Sequence, residues 1–462
     1  MSVYVFPVAY PHARVGILVP AMLTVAMLAG CGGPPPRNPS TPVSPAPVSR
    51  VTGGNDIVAP QPQDWSGPVP IARLVAAAEA SHPTRAAIAA AHALAAAQVR
   101  QAGTWDNPEL ELNLGRTKPR VDALDRDQPY GGSLSQRLTW WGKRNARVAA
   151  ARAQQQVAEA EAQVALLGLR AEVRRAAIQY AAAIDAATQA DEDARIAREL
   201  ATMTETRAAA GEVERSGVAR AKLEATTSAL HRDARRREVA TALAVLRTWC
   251  DPALPEHLVV ADAFPGVAIT MDAASLAQAM ERHPQLRALS ETSAAASAHV
   301  TAEREARLPD LTIGVFADRE AEKDTYGATL GFEVPLWNRN EGGIAAAEAV
   351  QAQTSATART ERLRLQRDLA EALGAVQTAQ GEATALQEQA VPVADEAIQL
   401  RTTAFQTGDA SLADLLEARR AANVVRAELR DARRRAALAL VDLGLAVGDP
   451  AIGLVPDEPV KR

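Results

Sequence analysis

Few side chains in this sequence are suited to covalent or metal chemistry, and their settings separate them. The whole chain holds two cysteines, Cys31 and Cys250, too few to build a thiolate metal cluster. His82 and His283 each precede a proline where a helical pattern begins, and capping geometry accounts for both better than metal ligation. No phosphate-binding glycine loop and no HExxH zinc helix occurs, so the sequence carries no sign of an enzyme. Cys250, near the end of a helical stretch, reads as a small buried apolar residue. Cys31 alone invites modification, because it follows Leu28-Ala29-Gly30 at the close of an apolar stretch from Val15 to Ala29 that Arg14 precedes.

That stretch is too short to span a bilayer and has the form of a secretory signal over residues 1–30. Its end resembles a lipoprotein box, in which the signal is cut before the cysteine and the cysteine is acylated. Cys31 is thus the expected lipidation site and the lipid the only bound group expected; no cofactor and no metal site are. Several acyl chains on one residue hold firmly, each buried methylene contributing about 0.8 kcal/mol. Gly32 stands where an aspartate would mark retention at the inner membrane, which directs this chain outward. Residues 31–70, rich in Pro, Gly, Ser and Thr, cannot bury a core and read as a tether.

The elements that follow come in duplicate. His82-Pro83 returns as His283-Pro284, Asn107-Pro108-Glu109-Leu110 as Leu308-Pro309-Asp310-Leu311, Tyr130-Gly131 as Tyr326-Gly327, and Arg232-Asp-Ala-Arg-Arg-Arg237 verbatim at 430–435. A repeat of this length implies two structural halves with internal pseudo-symmetry. The first is expected over 71–258, a connector over 259–272, the second over 273–448 and a tail over 449–462. Aromatics make up only 3% of the chain, alanine is abundant, and the net charge of −5 argues against nucleic acid as a partner.

Long helical runs dominate both halves, over about 71–102, 142–210 and 217–249, then 273–306, 340–407 and 411–447. A run of nearly seventy residues rises to about 100 Å, and helices of that length persist by packing side by side through small residues such as Ala151, Ala158 and Ala162. Antiparallel hairpins are expected to reverse near Gly211 and Gly408, where glycine can take the left-handed conformation that ends a helix. Pro392 is expected to break or kink its run. Between the helices lie four alternating stretches, about 107–116 and 130–140 in the first half and 308–317 and 326–335 in the second. Each has one apolar face, as in Glu109-Leu110-Glu111-Leu112-Asn113-Leu114, and each is about long enough to cross a bilayer as a tilted strand. Four strands cannot close a barrel, and an open edge in lipid leaves backbone groups unsatisfied, so a transmembrane reading requires copies of the chain to pool their strands. Soluble hairpins on a helical periplasmic lipoprotein scaffold are the other reading these residues allow.

From about residue 70 to 449 the chain resembles the TolC family of outer-membrane efflux ducts. Leu134-Ser135-Gln136-Arg137-Leu138-Thr139-Trp140 running into Gly142-Lys143-Arg144, with Pro335-Leu336-Trp337-Asn338-Arg339-Asn340-Glu341-Gly342 in the second half, is similar to the CzcC-type heavy-metal efflux branch. The resemblance implies a mainly α fold with a β-barrel portion: two repeats per protomer, long helical hairpins forming a periplasmic tunnel, and four strands given to a twelve-stranded barrel in a homotrimer. It implies a lipid-anchored protein of a Gram-negative outer membrane. Such a protein conducts solute passively for a periplasmic adaptor and an inner-membrane RND-type pump. Heavy-metal cations are the expected cargo, with drugs or secreted proteins as alternatives. Given a barrel, alternation makes Glu109, Glu111, Asn113, Ser133, Ser135, Arg137, Thr312, Thr329 and Glu333 the lumen lining. Trp141, Lys143, Arg144, Trp337, Arg339 and Asn340 mark the strand-to-helix junctions. Adaptor contact is expected at the hairpin tips, through Gly211, Val213 and Ser216 in the first and Gly408, Leu412, Asp414 and Leu415 in the second.

Overall fold

The computed structural model describes residues 65–115, 129–139, 141–211, 213–264, 273–320 and 323–449. The expected signal, Cys31, residues 31–64 of the tether, residues 265–272 of the connector and residues 450–462 of the tail lie outside them. The first half runs β1 (Pro68–Val69), α1 (Ile71–Ser81), α2 (Pro83–Ala102), β2 (Glu109–Leu114), β3 (Tyr130–Leu138), α3 (Trp141–Ala209) and α4 (Arg215–Trp249). After β4 (Val259–Val260) come α5 (Ala273–Met280), α6 (Pro284–Ala306), β5 (Leu311–Glu320), β6 (Lys323–Phe332), α7 (Glu341–Ala385), a π-helical turn (Leu386–Ala390), α8 (Val391–Thr407) and α9 (Leu412–Val447). The chain divides into a sheet unit, 107–137 with 311–333, and a helical unit holding the rest of the described chain.

The repeat shows first in how helices start. His82 and His283 are the N-cap residues of α2 and α6, each accepting a backbone N–H two residues on, from Thr84 at 3.3 Å and from Gln285 at 2.9 Å, with proline at the first helical position. Proline fits there because that N–H has no helical partner to lose. His283 Nε2 also lies 2.9 Å from the Leu445 carbonyl oxygen, and burial holds its pKa down. Both histidines are thus structural. Cys250 is buried as well, and desolvation pushes its thiol up to about 12.

Alanine-rich helices pack closely in three clusters. One joins α1, α3, α4, β1 and the end of α9 around Tyr180, whose hydroxyl donates to the Leu258 carbonyl at 3.2 Å. A second joins α5, α7 and α9 around Leu276, Val376 and Leu443, and the third lies near the two hairpin tips. Burying a leucine or valine side chain contributes about 1.5–3 kcal/mol, so leucines spaced at helical intervals along α9 hold it to its neighbours on either side. The parallel pair β1–β4, joining Val69 to Val260, was not expected: two residues per strand leave no alternation to read.

Pro392 does not break its run. The chain instead widens into a π-helical turn just before it, and the Val391 N–H donates to the Leu386 carbonyl, five residues back. A wider turn takes up one extra residue and eases the clash that a proline ring makes with the preceding turn. Between the packed middle of these helices and the tips, the second repeat is longer by that one residue. Leu365, Leu369, Ala372 and Val376 are buried 196 positions after the buried Leu169, Val173, Ala176 and Tyr180, whereas Gly408 follows Gly211 by 197.

In the second sheet hairpin the strands lie three residues closer to the turn than expected, at 311–320 and 323–332 in place of about 308–317 and 326–335. Pro309 and Pro335, which have no N–H for a ladder, fall outside both strands.

Candidate functional site

The sheet has the order β2-β3-β5-β6, with both hairpins antiparallel. Register fixes its faces. Leu110 opposes Leu134 and Leu114 opposes Tyr130 in the first hairpin; Leu311 opposes Phe332, Ile313 opposes Leu330 and Ala317 opposes Tyr326 in the second. These side chains make one apolar face, and it is open: Leu114 is 87% exposed and Tyr326 84%. The other face carries Glu109 against Ser135, Glu111 against Ser133, Asn113 against Gly131, and the Thr312–Gly331 and Gly314–Thr329 pairs. Arg137 continues it, as does Glu333 just past β6, and their side chains approach to 3.5 Å. Alternation therefore places all nine expected lining residues on the polar face.

The longer β5 and β6 add residues that the expected boundaries missed. Asp318 and Glu320 on β5 and Lys323 on β6 extend the polar face, and Asp318 lies so close to Gly131 that a Cβ there would overlap it. Phe316 stands on the same face with its ring over Gly327, an aromatic interruption that alternation alone did not flag. Among the described residues, the outer strands β2 and β6 each present an edge with no strand beyond it. Such edges are incompatible with hydrocarbon unless another strand pairs with them. No helix among the described residues is long and apolar enough to cross a membrane, and none holds three His, Cys, Asp or Glu side chains grouped to bind a metal.

Where strands pass into helices, each repeat hooks back to its preceding helix by different chemistry. Arg144 donates twice to the Gly103 carbonyl at the end of α2, at 2.9 and 2.7 Å, with its guanidinium 5.3 Å from the Trp105 ring centroid. Lys143 pairs with Asp310 at 2.9 Å. In the second repeat Asn340 takes a left-handed conformation, φ 57°, and its amide donates to the Glu303 carbonyl at 2.9 Å and carboxylate at 2.7 Å near the end of α6. Trp141 opens α3, its side chain outside those described. Trp337 is 94% exposed and Arg339 is exposed beside it.

The tips turn as the glycines suggested, Gly211 at φ 82° and Gly408 at φ 90°. Ser411 and Asp414 then form a reciprocal capping box: the Ser411 N–H donates to Asp414 at 3.0 Å and the Asp414 N–H to Ser411 Oγ at 3.3 Å. The Ser411 hydrogen bonds hold the Asp414 carboxyl below the usual aspartate range. Leu412 and Leu415 are not a contact surface in the chain as it stands. They are 8% and 2% exposed, packed with Leu416, Phe405, Leu200, Ala201 and Ala221, because leucines at the start of α9 meet the flank of the first hairpin. Val213 is half-buried, with Gly217 leaving room for it, and the exposed Ser216 donates to Glu214 at 3.1 Å.

Known proteins match this architecture. CzcC of Cupriavidus metallidurans, a cobalt-zinc-cadmium resistance protein, is 26% identical over 387 residues, covering 81% of this chain and 88% of that protein. The crystal structure of CusC, studied for folding and transmembrane channel formation, superposes with a TM-score of 0.71 at 19% identity, over 90% of this chain and 99% of that one. The open-state MtrE outer membrane channel of Neisseria gonorrhoeae gives a TM-score of 0.69 at 19% identity, over 82% and 89%. The family model described as outer membrane efflux protein matches twice, at residues 74–249 and 275–449. Two matches that follow the two repeats and span most of the chain place it in that family: this protein belongs to the outer membrane efflux proteins.

Proposed function

We propose that the protein is the outer-membrane duct of a tripartite efflux system and that three copies pool their strands into one barrel. The observation that carries this reading is the sheet itself, with an exposed apolar face, a polar face opposite, and two open edges. Lipid covers the first, water fills the second, and strands of neighbouring copies satisfy the third. The helical hairpins extend this passage through the periplasm toward an adaptor and an RND-type pump, which supply engagement and energy. Cys31 anchors the chain to the outer membrane through its lipid.

Heavy-metal cations are the cargo this reading favours, supported by the likeness to a metal-resistance protein and by the charge of the polar face. Among the described residues, that face carries the carboxylates of Glu109, Glu111, Asp318, Glu320 and Glu333 against the cations of Arg137 and Lys323. An acidic lining raises local cation concentration without holding any ion. Hydrogen bonding at the tip turns Asp414 to capping the helix that bears it, so adaptor contact rests on backbone and exposed residues around Gly211, Val213, Ser216 and Gly408.

Single-channel conductance in planar bilayers, taken together with oligomer mass in detergent, tests the duct. Discrete conductance from a trimer is expected; a folded monomer that never conducts would leave a lipoprotein scaffold. For the cargo, a deletion strain is expected to lose tolerance to zinc, cobalt or cadmium. Unchanged metal tolerance with new drug sensitivity would replace the metal assignment.

A further inference from the structure

Glycine in mid-strand costs roughly 0.5–1 kcal/mol relative to alanine, yet the polar face of the sheet is rich in it. Gly131, Gly314, Gly327 and Gly331 fall on that face, against Gly132 alone on the apolar face among the described strands. Each lies opposite a side chain: Asn113 opposes Gly131, Thr312 opposes Gly331, Thr329 opposes Gly314 and Phe316 opposes Gly327. The space above them is not used equally. A Cβ at Gly331 would meet only the Cβ of Thr312, at 4.0 Å, an ordinary contact. A Cβ at Gly327 would come within 2.8 Å of two carbons of the Phe316 ring, well inside the separation at which carbon atoms attract. Phe316 is accordingly half-buried, its ring laid across the neighbouring strand.

Taking the polar face as the lining of a pooled barrel, the reading on which this step rests, we infer that Gly327 is a specificity-determining position. It seats Phe316 flat against the wall, and the size of solute that clears the barrel depends on that seat. Each pooled copy brings one phenyl ring to this level, so a displaced ring narrows the passage once per copy. The other neighbouring strand, β3, offers no second seat. Asp318 covers Gly131, Ser135 flanks Gly314, and alternation puts the side chain of Ser133 between them, beside Phe316. A ring driven off Gly327 therefore turns to a staggered rotamer that stands away from the sheet, as strand side chains commonly do. On this face that direction is the passage. Phe316 is the one aromatic side chain on the polar face among the described strands, so no second ring takes over its effect when it is removed.

Size-graded labelling of the full-length protein in intact cells tests this, with Cys250 buried and left in place. Glu109 is exposed on the polar face opposite Ser135, one lining position from the Phe316 level toward the helices. Maleimides carrying polyethylene glycol of increasing mass, added outside, enter at the β5–β6 turn and must pass Phe316 to reach Glu109→Cys. Gly327→Val in that background is expected to lose reaction with the largest reagents that reacted before. Adding Phe316→Ala to Gly327→Val should restore that reaction, and Gly331→Val, with no ring to displace, should leave the size limit unchanged. An unchanged limit in Gly327→Val would overturn the seat, as would the same loss in Gly331→Val or no recovery with Phe316→Ala. Should Gly327→Val not assemble, Gly327→Ala, which already places a Cβ against the ring, takes its place. Ile313→Cys, on the apolar face, separates these failures from failure of the underlying reading. Lipid should shield it from such water-soluble reagents, and its free reaction with them would remove the pooled barrel itself.

Discussion

The two helical reversals make the same turn and secure it differently. Both pivot on a glycine with positive φ in open space, and there the likeness ends. After Gly408 a serine–aspartate capping box starts α9, and three leucines drive its first turns into a buried cluster. After Gly211 the N-cap Glu214 makes no side-chain cap hydrogen bond, and the first residues of α4 are Arg215, Ser216 and Gly217. Duplication has kept the backbone requirement, which only glycine meets cheaply, and has let the stabilising side chains diverge. The second tip is the firmer of the two.

The largest expected break in this contrast is Leu415→Ala, which removes a side chain that is 2% exposed and should cost about 2–5 kcal/mol. Its counterpart Val218→Ala, on a half-buried residue, should cost well under that. Hydrogen exchange followed by mass spectrometry would report the two losses separately, and equal losses would dissolve the contrast. Next in size, Gly211→Ala and Gly408→Ala should each cost about 1–2 kcal/mol, because both force a side chain into the left-handed region. Near-equality in matched thermal unfolding would sharpen the claim that the turn itself is shared. Ser411→Ala should cost about 1 kcal/mol as a lost cap, against almost nothing for Ser216→Ala.

The smallest effect is one of pH. Hydrogen bonds from Ser411 depress the Asp414 pKa, so the folded tip binds that proton less readily than the unfolded chain. Its contribution is full above the ordinary aspartate range and is lost as pH falls through the depressed value. Exchange protection in the first turn of α9 should therefore decline in acid, relative to α4, once intrinsic exchange rates are corrected for. The difference should vanish in Ser411→Ala.

Much of this was legible in the residues because backbone demands leave strong traces. Gly211 and Gly408 marked the reversals, and His-Pro marked two helix starts. Alternation through Glu109–Leu114 sorted polar from apolar faces. What could not be read depended on partners distant in sequence. Leu412 and Leu415 look alike whether they cover Leu200 or await another protein, since helical spacing shows a face and not what it meets. The second hairpin slid toward its turn because Pro309 and Pro335 limit the ladder from outside, while alternation continues through Asp318 and Glu320. Pro392 marked a local stress but not its outcome: in place of the expected break the helix takes a turn of different width.

That turn also bears on how the two halves have been able to drift apart. One surplus residue in a regular α-helix would swing every later side chain by about 100°, sending Phe405 away from the cluster it shares with Leu200 and Leu412. By confining the surplus to Leu386–Ala390, the second repeat keeps its tip in phase with the first. The π-helical turn thus works as a splice that tolerates a change of length, and removing one residue within it should leave the tip's orientation intact, whereas the same deletion midway along α3 would misalign everything beyond it.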